Sequence, residues 1–314
     1  MAVNLRKLST TPDQLSSGHR LCGGCGASII MRQILHATDK PVVVGCATGC
    51  LEVTTTMYPQ TAWKTSFIHS AFENSAATVS GVEAAYNALR RKGKVDSDFV
   101  FMAVGGDGGT FDIGFQSLSG AMERGHKMLY VCYDNEGYMN TGIQRSSATP
   151  FGAATTTTPA GKKIPGKLQF RKDLTAVIAA HHVAYVAQAS PSRWRDLIEK
   201  AQKAFEADGP AFLNILSPCP RGWRTEPSQS IRLAELAVQT CYWPLYEVEH
   251  GDWRITYTPK EKVPLTEFLK PQGRFRHLFK PGNERLLEQA QEHVDREWER
   301  LQLRVDACGR AISD

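Results

Sequence analysis

Long apolar runs are missing from this 314-residue chain. None approaches the roughly 20 residues that span a bilayer. The segment from Met1 to Leu8 also lacks the apolar stretch of a secretion signal, so the sequence predicts a cytoplasmic protein. Charge of one sign is scarce: Lys plus Arg exceed Asp plus Glu by only 37 − 32 = 5. That excess is scattered and forms no basic stripe interleaved with aromatics, which argues against nucleic acid as a partner. There is no internal repeat and no long run of charge. Eight cysteines are too few for a disulfide scaffold at this length, and they fit a reducing compartment. What remains is ordinary: 42% hydrophobic and 22% charged residues suit a globular chain that buries a full core without staples.

Short apolar strands alternate with helical patterns. Val42–Val44, Phe99–Val104, Met128–Tyr133, Ala184–Ala187 and Ala211–Leu216 read as buried strands. Ser28–Ala37, Phe72–Leu89, Phe111–Met122, Lys172–Ala180 and Ser192–Ala207 read as helices. This alternation predicts an α/β fold, a parallel sheet covered by helices on both faces. Residues 1–18 read as a polar arm leading to Cys22. Ser146–Lys167 is a long loop without hydrophobic periodicity, either a functional loop or a plain surface connection. Past Pro218 the composition shifts toward Trp and Pro, and an amphipathic helix runs from Glu284 to about Val305. Its polar face, with Glu292, Asp295, Arg296, Glu299 and Arg300, reads as solvated. Two units follow, 1–225 and a C-terminal extension 226–314 that docks on partner subunits.

Gly106-Asp107-Gly108-Gly109 follows a buried strand and precedes a helix. Glycines at such a turn let backbone amides approach a phosphate, and the helix N-terminus favours negative charge. Asp107 then stands at the carboxyl end of a strand, where open α/β sheets bind ligands. Asn135 follows 28 residues later, at the end of the next strand, in Tyr133-Asp134-Asn135-Glu136-Gly137. One carboxylate and one amide oxygen at neighbouring strand ends suit Mg²⁺ on a diphosphate. Together the two segments resemble the thiamine diphosphate motif.

Cys22 and Cys25 form a CxxC pair, Cys50 follows the Val42–Val44 strand, and Cys219 follows the Ala211–Leu216 strand. All four fall beside strand ends, where their thiolates can converge on an iron–sulfur cluster or on zinc, or bind neither. Cys46 is an alternative ligand, though burial as a small hydrophobe suits it better. Cys132 reads as core, and nothing singles out Cys241 or Cys308. His69 either faces the thiamine or is a satisfied core histidine, and the second reading is preferred.

These segments resemble the β subunit of a 2-oxoacid:ferredoxin oxidoreductase of the pyruvate type, a family with an oxalate-oxidising branch. The likeness rests on His19 to Ala27, Ala47-Thr48-Gly49-Cys50, Gly106 to Gly109, Tyr133 to Gly142 and Ser217-Pro218-Cys219-Pro220, and reaches Gln272 to His277. It implies one [4Fe–4S] cluster on Cys22, Cys25, Cys50 and Cys219. Asp107, Asn135 and the Gly137 carbonyl would hold Mg²⁺. The cofactor would lie against Cys50, Gly106 to Gly109 and the run Asn135, Glu136, Gly137, Tyr138, Met139 and Asn140. Single-chain members carry a glutamate where this chain has Ala27, so that contact does not carry over.

Thiamine activation needs a glutamate beside the aminopyrimidine, and none of Glu52, Glu73 and Glu136 matches it. In the family a partner subunit supplies that glutamate and most of the substrate pocket, while another carries further iron–sulfur clusters. The implied reaction is thiamine-dependent oxidative decarboxylation of a small 2-oxoacid, with electrons passed through the cluster to ferredoxin. Coenzyme A takes up the acyl group except in the oxalate branch. Two rival readings are a non-catalytic iron–sulfur or zinc module and a thiamine enzyme without redox output. The Asp107/Asn135 spacing speaks against the first and the four placed cysteines against the second.

Overall fold

The computed structural model describes residues 3–161 and 163–311. Eight strands make one sheet: β1 (Val42–Ala47), β2 (Ser66–Ser70), β3 (Val100–Gly106), β4 (Leu129–Asp134), β5 (Tyr185–Ala189), β6 (Ala211–Leu216), β7 (Leu245–Glu249) and β8 (Asp252–Tyr257). Their order is β2-β1-β3-β4-β6-β5-β7-β8. The first six are mutually parallel, and β7 and β8 add antiparallel to the β5 edge. The helices are α1 (Leu5–Thr10), α2 (Gly26–Leu35), α3 (Cys50–Thr55), α4 (Ser75–Arg91), α5 (Phe115–Glu123), α6 (Leu174–Ala179), α7 (Trp194–Glu206), α8 (Pro220–Trp223), α9 (Ser230–Gln239), α10 (Leu265–Leu269) and α11 (Glu284–Ala311). None among the described residues is long and apolar enough to cross a membrane.

The central strands are apolar on both faces, as parallel strands covered by helices must be. Along β3, Met102 and Val104 join a core with Ile30 of α2 and Leu197 of α7. Phe101 and Ala103 point the other way, toward Val79 of α4 and Leu118 of α5. A third core gathers Trp223, Trp243, Phe268 and Phe275 from the C-terminal part.

Several elements differ from the sequence reading. The helix expected over Phe111–Met122 is two pieces, a π-helix at Gly108–Ile113 and α5, joined at Gly114. The residues read as an N-terminal arm hold α1, capped by the Asn4 side chain, which accepts from the Arg6 amide at 2.9 Å. The stretch after residue 226 contributes β7 and β8 to the main sheet, so this part is woven into the α/β layer.

Register fixes where the motifs meet. Cys46 pairs with Val104, Gly106 with Tyr133, and Asp134 with Leu216, so these four strands end level with one another. The loops that follow, at 48–50, 107–109, 135–140 and 217–219, therefore share one edge of the sheet. The chain also reverses direction across β1: β2 lies on one side and β3 on the other. Such a switch point opens a crevice at the carboxyl ends of the strands, where ligands bind.

Candidate active site

Asp107 begins the loop after β3 and is fully buried. Its Oδ2 accepts from the Ser146 hydroxyl at 2.5 Å, and its Oδ1 accepts from the Asn135 amide N–H at 3.2 Å. The Asn135 side-chain oxygen faces Asp107 Oδ1 and the Gly137 carbonyl oxygen, each 2.9 Å away. Three acceptors turned on one point repel one another unless the amide flips to donate to both or a cation lies between. The set is the one the sequence reading assigned to Mg²⁺: a carboxylate, an amide oxygen and a backbone carbonyl, all hard oxygen donors.

Electrostatics around this point favour a cation. Asp134 and Glu136 flank Asn135, and both are buried. Arg171 donates to Asp134 at 2.5 Å and to Glu136 at 3.2 Å, and Arg274 donates to Glu136 at 2.5 Å. Three carboxylates against two guanidinium groups leave 3 − 2 = 1 negative charge, on Asp107, which neither arginine touches. Burial accordingly pushes the Asp107 carboxyl well above its ordinary range, and the charge of Asp134 adds to the rise. Asp134 is pushed up to about 6, mainly by burial, with Arg171 pulling against it.

The Glu136 side chain is committed to other partners than a cofactor. Its carboxylate accepts from Arg171, Arg274 and the Tyr242 hydroxyl. The residue holds a left-handed backbone (φ 69°), and its carbonyl accepts from Thr149 at 2.8 Å. Glu136 thus anchors the loop from beneath. Tyr138 lies across Gly108, donating to the Gly108 carbonyl at 3.1 Å and to Asp112 at 3.2 Å. A Cβ on Gly108 would stand 2.6 Å from that ring, so only glycine fits. Met139 is half-buried and Asn140 exposed. Asn140 lies near enough to Cys50 that its side chain works against the burial that raises the thiol.

The inner part of Ser146–Lys167 is packed. Ser146, Thr149 and Lys167 are buried, and Lys167 Nζ donates to the Thr149 carbonyl at 2.5 Å. Ser146 is itself fixed by the Ala148 amide at 3.1 Å and by Thr149 Oγ1, which accepts from the Ser146 amide at 2.9 Å. This loop therefore holds Asp107 in one orientation. Nothing in the sequence linked Ser146 to Asp107, 39 positions apart.

The four cysteines come from three loops. Cys25 closes a turn onto Cys22, its N–H donating to the Cys22 carbonyl at 3.0 Å. Gly26 then donates to Pro218 at 2.9 Å, which stitches this turn to the loop carrying Cys219. Gly24 has φ +74°, and a Cβ there would stand 2.3 Å from the Pro227 carbonyl oxygen. Burial pushes the Cys25 thiol up to about 12, with the thiols of Cys219, Cys50 and Cys22 adding to the rise. Burial likewise pushes Cys219 up to about 11, opposed by the Gly222 N–H, which donates to its sulfur at 3.3 Å. Cys50 is raised by burial too. The four thiols thus lie within electrostatic reach of one another. Among the described residues, no three His, Cys, Asp or Glu side chains stand close enough to share a single metal ion. Cys46 and Cys132 are fully buried, as the sequence suggested.

His69 is no core residue. Its side chain is 51% exposed, with Nε2 2.8 Å from Thr48 Oγ1 and 3.5 Å from Glu52 Oε2. Strand β2 is the edge of the sheet, so His69 lies at the margin of the fold and not in its core. Glu52 is buried and also accepts from Thr56 at 2.8 Å.

Residues 43–215 match the C-terminal TPP-binding domain of the thiamine pyrophosphate enzymes. The pyruvate synthase subunit PorB of Thermotoga maritima is 53% identical over 96% of this chain and 96% of its own length. PorB of Methanocaldococcus jannaschii is 53% identical over 90% of this chain and 94% of its own. Ketoisovalerate oxidoreductase subunit VorB of Pyrococcus furiosus is 42% identical over 98% of both. A solved 2-oxoglutarate:ferredoxin oxidoreductase from Magnetococcus marinus, with 2-oxoglutarate, coenzyme A and succinyl-CoA bound, shares the fold. Its TM-score is 0.53 at 22% identity, covering 70% of this chain and 79% of that one. With a thiamine-binding domain across its sheet and end-to-end likeness to the PorB subunits, this chain belongs to the pyruvate synthase subunit family, the thiamine-dependent β subunits of the 2-oxoacid:ferredoxin oxidoreductases.

Proposed function

We propose that this chain binds Mg²⁺–thiamine diphosphate and one [4Fe–4S] cluster, and completes a complex that oxidises pyruvate in the cytoplasm. The overall conversion takes pyruvate and coenzyme A to acetyl-coenzyme A, CO₂, a proton and an electron pair that leaves for ferredoxin. The placing of the Asn135 side-chain amide between the Asp107 carboxylate and the Gly137 carbonyl, 2.9 Å from each, carries the reading, since these three groups can turn hard oxygens onto one Mg²⁺ beside an unmatched charge. Cys22, Cys25, Cys50 and Cys219 would hold the cluster. A four-iron cluster binds each thiolate to a different iron, so it takes a wider set than a single zinc. The relatives called pyruvate synthase favour pyruvate over a branched 2-oxoacid, because they are closer in identity than VorB.

Bound thiamine supplies the electron sink for decarboxylation, and the cluster accepts electrons singly. The chain's own residues orient and charge the site. Ser146 aims Asp107, and Arg171 with Arg274 holds the 134–136 loop in place. Activation of the thiamine falls to a partner subunit. The Glu136 carboxylate is held by Arg171, Arg274 and Tyr242, and that of Glu52 by Thr56 and His69. Exposed Ile113, Ile164, Leu168 and Phe170 offer apolar surface for such a partner, with the cluster-bearing subunit a further neighbour.

The test is the purified complex assayed for dye or ferredoxin reduction with pyruvate, 2-ketoisovalerate, 2-oxoglutarate and oxalate, with and without coenzyme A. Thiamine, magnesium and iron are measured in the denatured extract. Pyruvate- and coenzyme A-dependent reduction with all three present is the expected result. Absence of thiamine would favour a non-catalytic electron-transfer subunit, and absence of iron would remove the cluster. The chain purified without its partner subunits should reduce nothing.

A further inference from the structure

A cavity of about 330 Å³ lies between the sheet and α11, with Arg171 and Tyr242, which hold Asp134 and Glu136, in its wall. Asn214 of β6 and Gln188 of β5 form its floor, and Ala290, Val294 and Leu301 of α11 its roof. Tyr242, Trp243 and Trp298 give it aromatic walls. Its size falls at the lower end of small-molecule sites, and it is roughly twice the dry apolar cavity that admits benzene.

All but one of the charges around it are already matched. Arg171 is held by Asp134 and Glu136, and Lys172 donates to the Phe111 carbonyl. Asp173 pairs with Arg304 at 3.6 Å, and Glu297 with Arg300 at 2.6 Å. Lys172 is the one lining charge paired with no opposite charge, and its ammonium is already turned onto that carbonyl and the Phe115 ring.

The uncharged polar groups are nearly matched as well. The Asn214 amide N–H donates to Thr175 at 3.2 Å, Thr175 donates to Gln188 at 3.2 Å, and Gln188 donates to the Pro244 carbonyl at 2.9 Å. One group is left over. The Asn214 side-chain oxygen, in a residue 1% exposed, has no hydrogen-bond partner. A buried acceptor left unmade is costly, and one donor would satisfy it.

We propose that this cavity is a binding site for a neutral, mostly apolar molecule of one or two rings carrying a single hydrogen-bond donor, received by Asn214. Arg171 and Tyr242 apart, no residue named in its lining has a part in the proposed reaction.

Indole and 1-methylindole are suitable probes because they differ in the donor N–H. Titrated calorimetrically into the intact complex, indole should bind once per chain of this type. 1-Methylindole should bind about fivefold to tenfold more weakly, the worth of one net hydrogen bond. In Asn214→Leu the gap between the two probes should close. In Ala290→Phe, whose ring fills the cavity, both should fail to bind while the complex still unfolds cooperatively near its usual midpoint. No saturable indole binding to the unaltered complex would overturn the proposal. So would equal affinity for the two probes, or binding that survives Ala290→Phe.

Discussion

At the oxygen-lined end of the site, three buried carboxylates lie against two arginines, whereas at the thiol-lined end neutral sulfurs are held by backbone and proline. The first is assembled from charge. Arg171 and Arg274 reach in from distant parts of the chain, and Asp107 is left as the uncompensated anion. The second is assembled from close approach: Gly24 beneath Pro227, Gly26 on Pro218, and Cys50 one residue beyond a tight glycine turn. A charge-built site keeps its ligands aimed before any metal arrives. A site of raised thiols releases protons as it is ligated, so its assembly is favoured as pH rises.

The sharpest way to break the contrast is at its charged end. Asp107→Ala removes both the anion and a proposed ligand, and thiamine retained by the purified complex should fall to the detection limit while the fold persists. Full thiamine occupancy would mean that Asp107 is a packing residue. At the other end, Cys50→Ser should lose the iron and the reduced-state magnetic resonance signal. Cys46→Ser should keep both, because Cys46 is buried in the core. The reverse pattern would exchange the two assignments.

A smaller effect separates aiming from binding. Ser146→Ala keeps the Asp107 charge but removes the hydroxyl that fixes its orientation. The Mg²⁺ concentration for half-maximal thiamine binding should rise about tenfold, in the range typical of residues that orient metal ligands. Ser146→Thr should recover most of the loss. An unchanged Mg²⁺ requirement would show that the long loop merely covers the site.

The slightest expected effect is on pH. Asp134 has a folded value of about 6 against an ordinary 3.8, so the folded chain binds its proton more tightly than the unfolded chain does. Its contribution to stability is complete below the ordinary value and is lost as pH rises through about 6. With Mg²⁺ chelated, the unfolding midpoint of the unaltered complex should fall relative to Asp134→Asn between about pH 4 and about pH 7. Parallel curves would remove this carboxyl from the balance.

The loops proposed to carry the chemistry were legible in the sequence because each is local: a strand, a glycine turn, then a candidate ligand. Strand β6 coincides with the apolar run Ala211–Leu216, and β3 and β4 differ from their runs only at the ends. The π-helix at Gly108–Ile113 was hidden because apolar periodicity does not separate it from the α-helix that follows. Strands β7 and β8 were hidden because charged residues, Glu247 and Glu249 in one and Asp252 and Arg254 in the other, break up their short apolar runs. The pairing of Glu136 with Arg274 could not be read at all, since nothing local connects residues 138 positions apart. His69 was misjudged for a related reason: its surroundings depend on β2 being an edge strand, a fact of topology and not of neighbouring residues.

That separation of 138 residues between Glu136 and Arg274 also sets a timetable for the growing chain. At a synthesis rate of about 5–20 residues per second, roughly 7–28 seconds pass between the emergence of the two. During that interval the loop at 135–140 exists without one of its two arginine anchors. The nascent chain therefore cannot finish its cofactor site until almost the whole polypeptide has been made, and early capture of thiamine during synthesis is unfavourable. Chains stalled on the ribosome before residue 274 emerges should be cut by protease near residues 135–145, and released chains should resist. Equal resistance in both would show that Arg171 alone secures the loop.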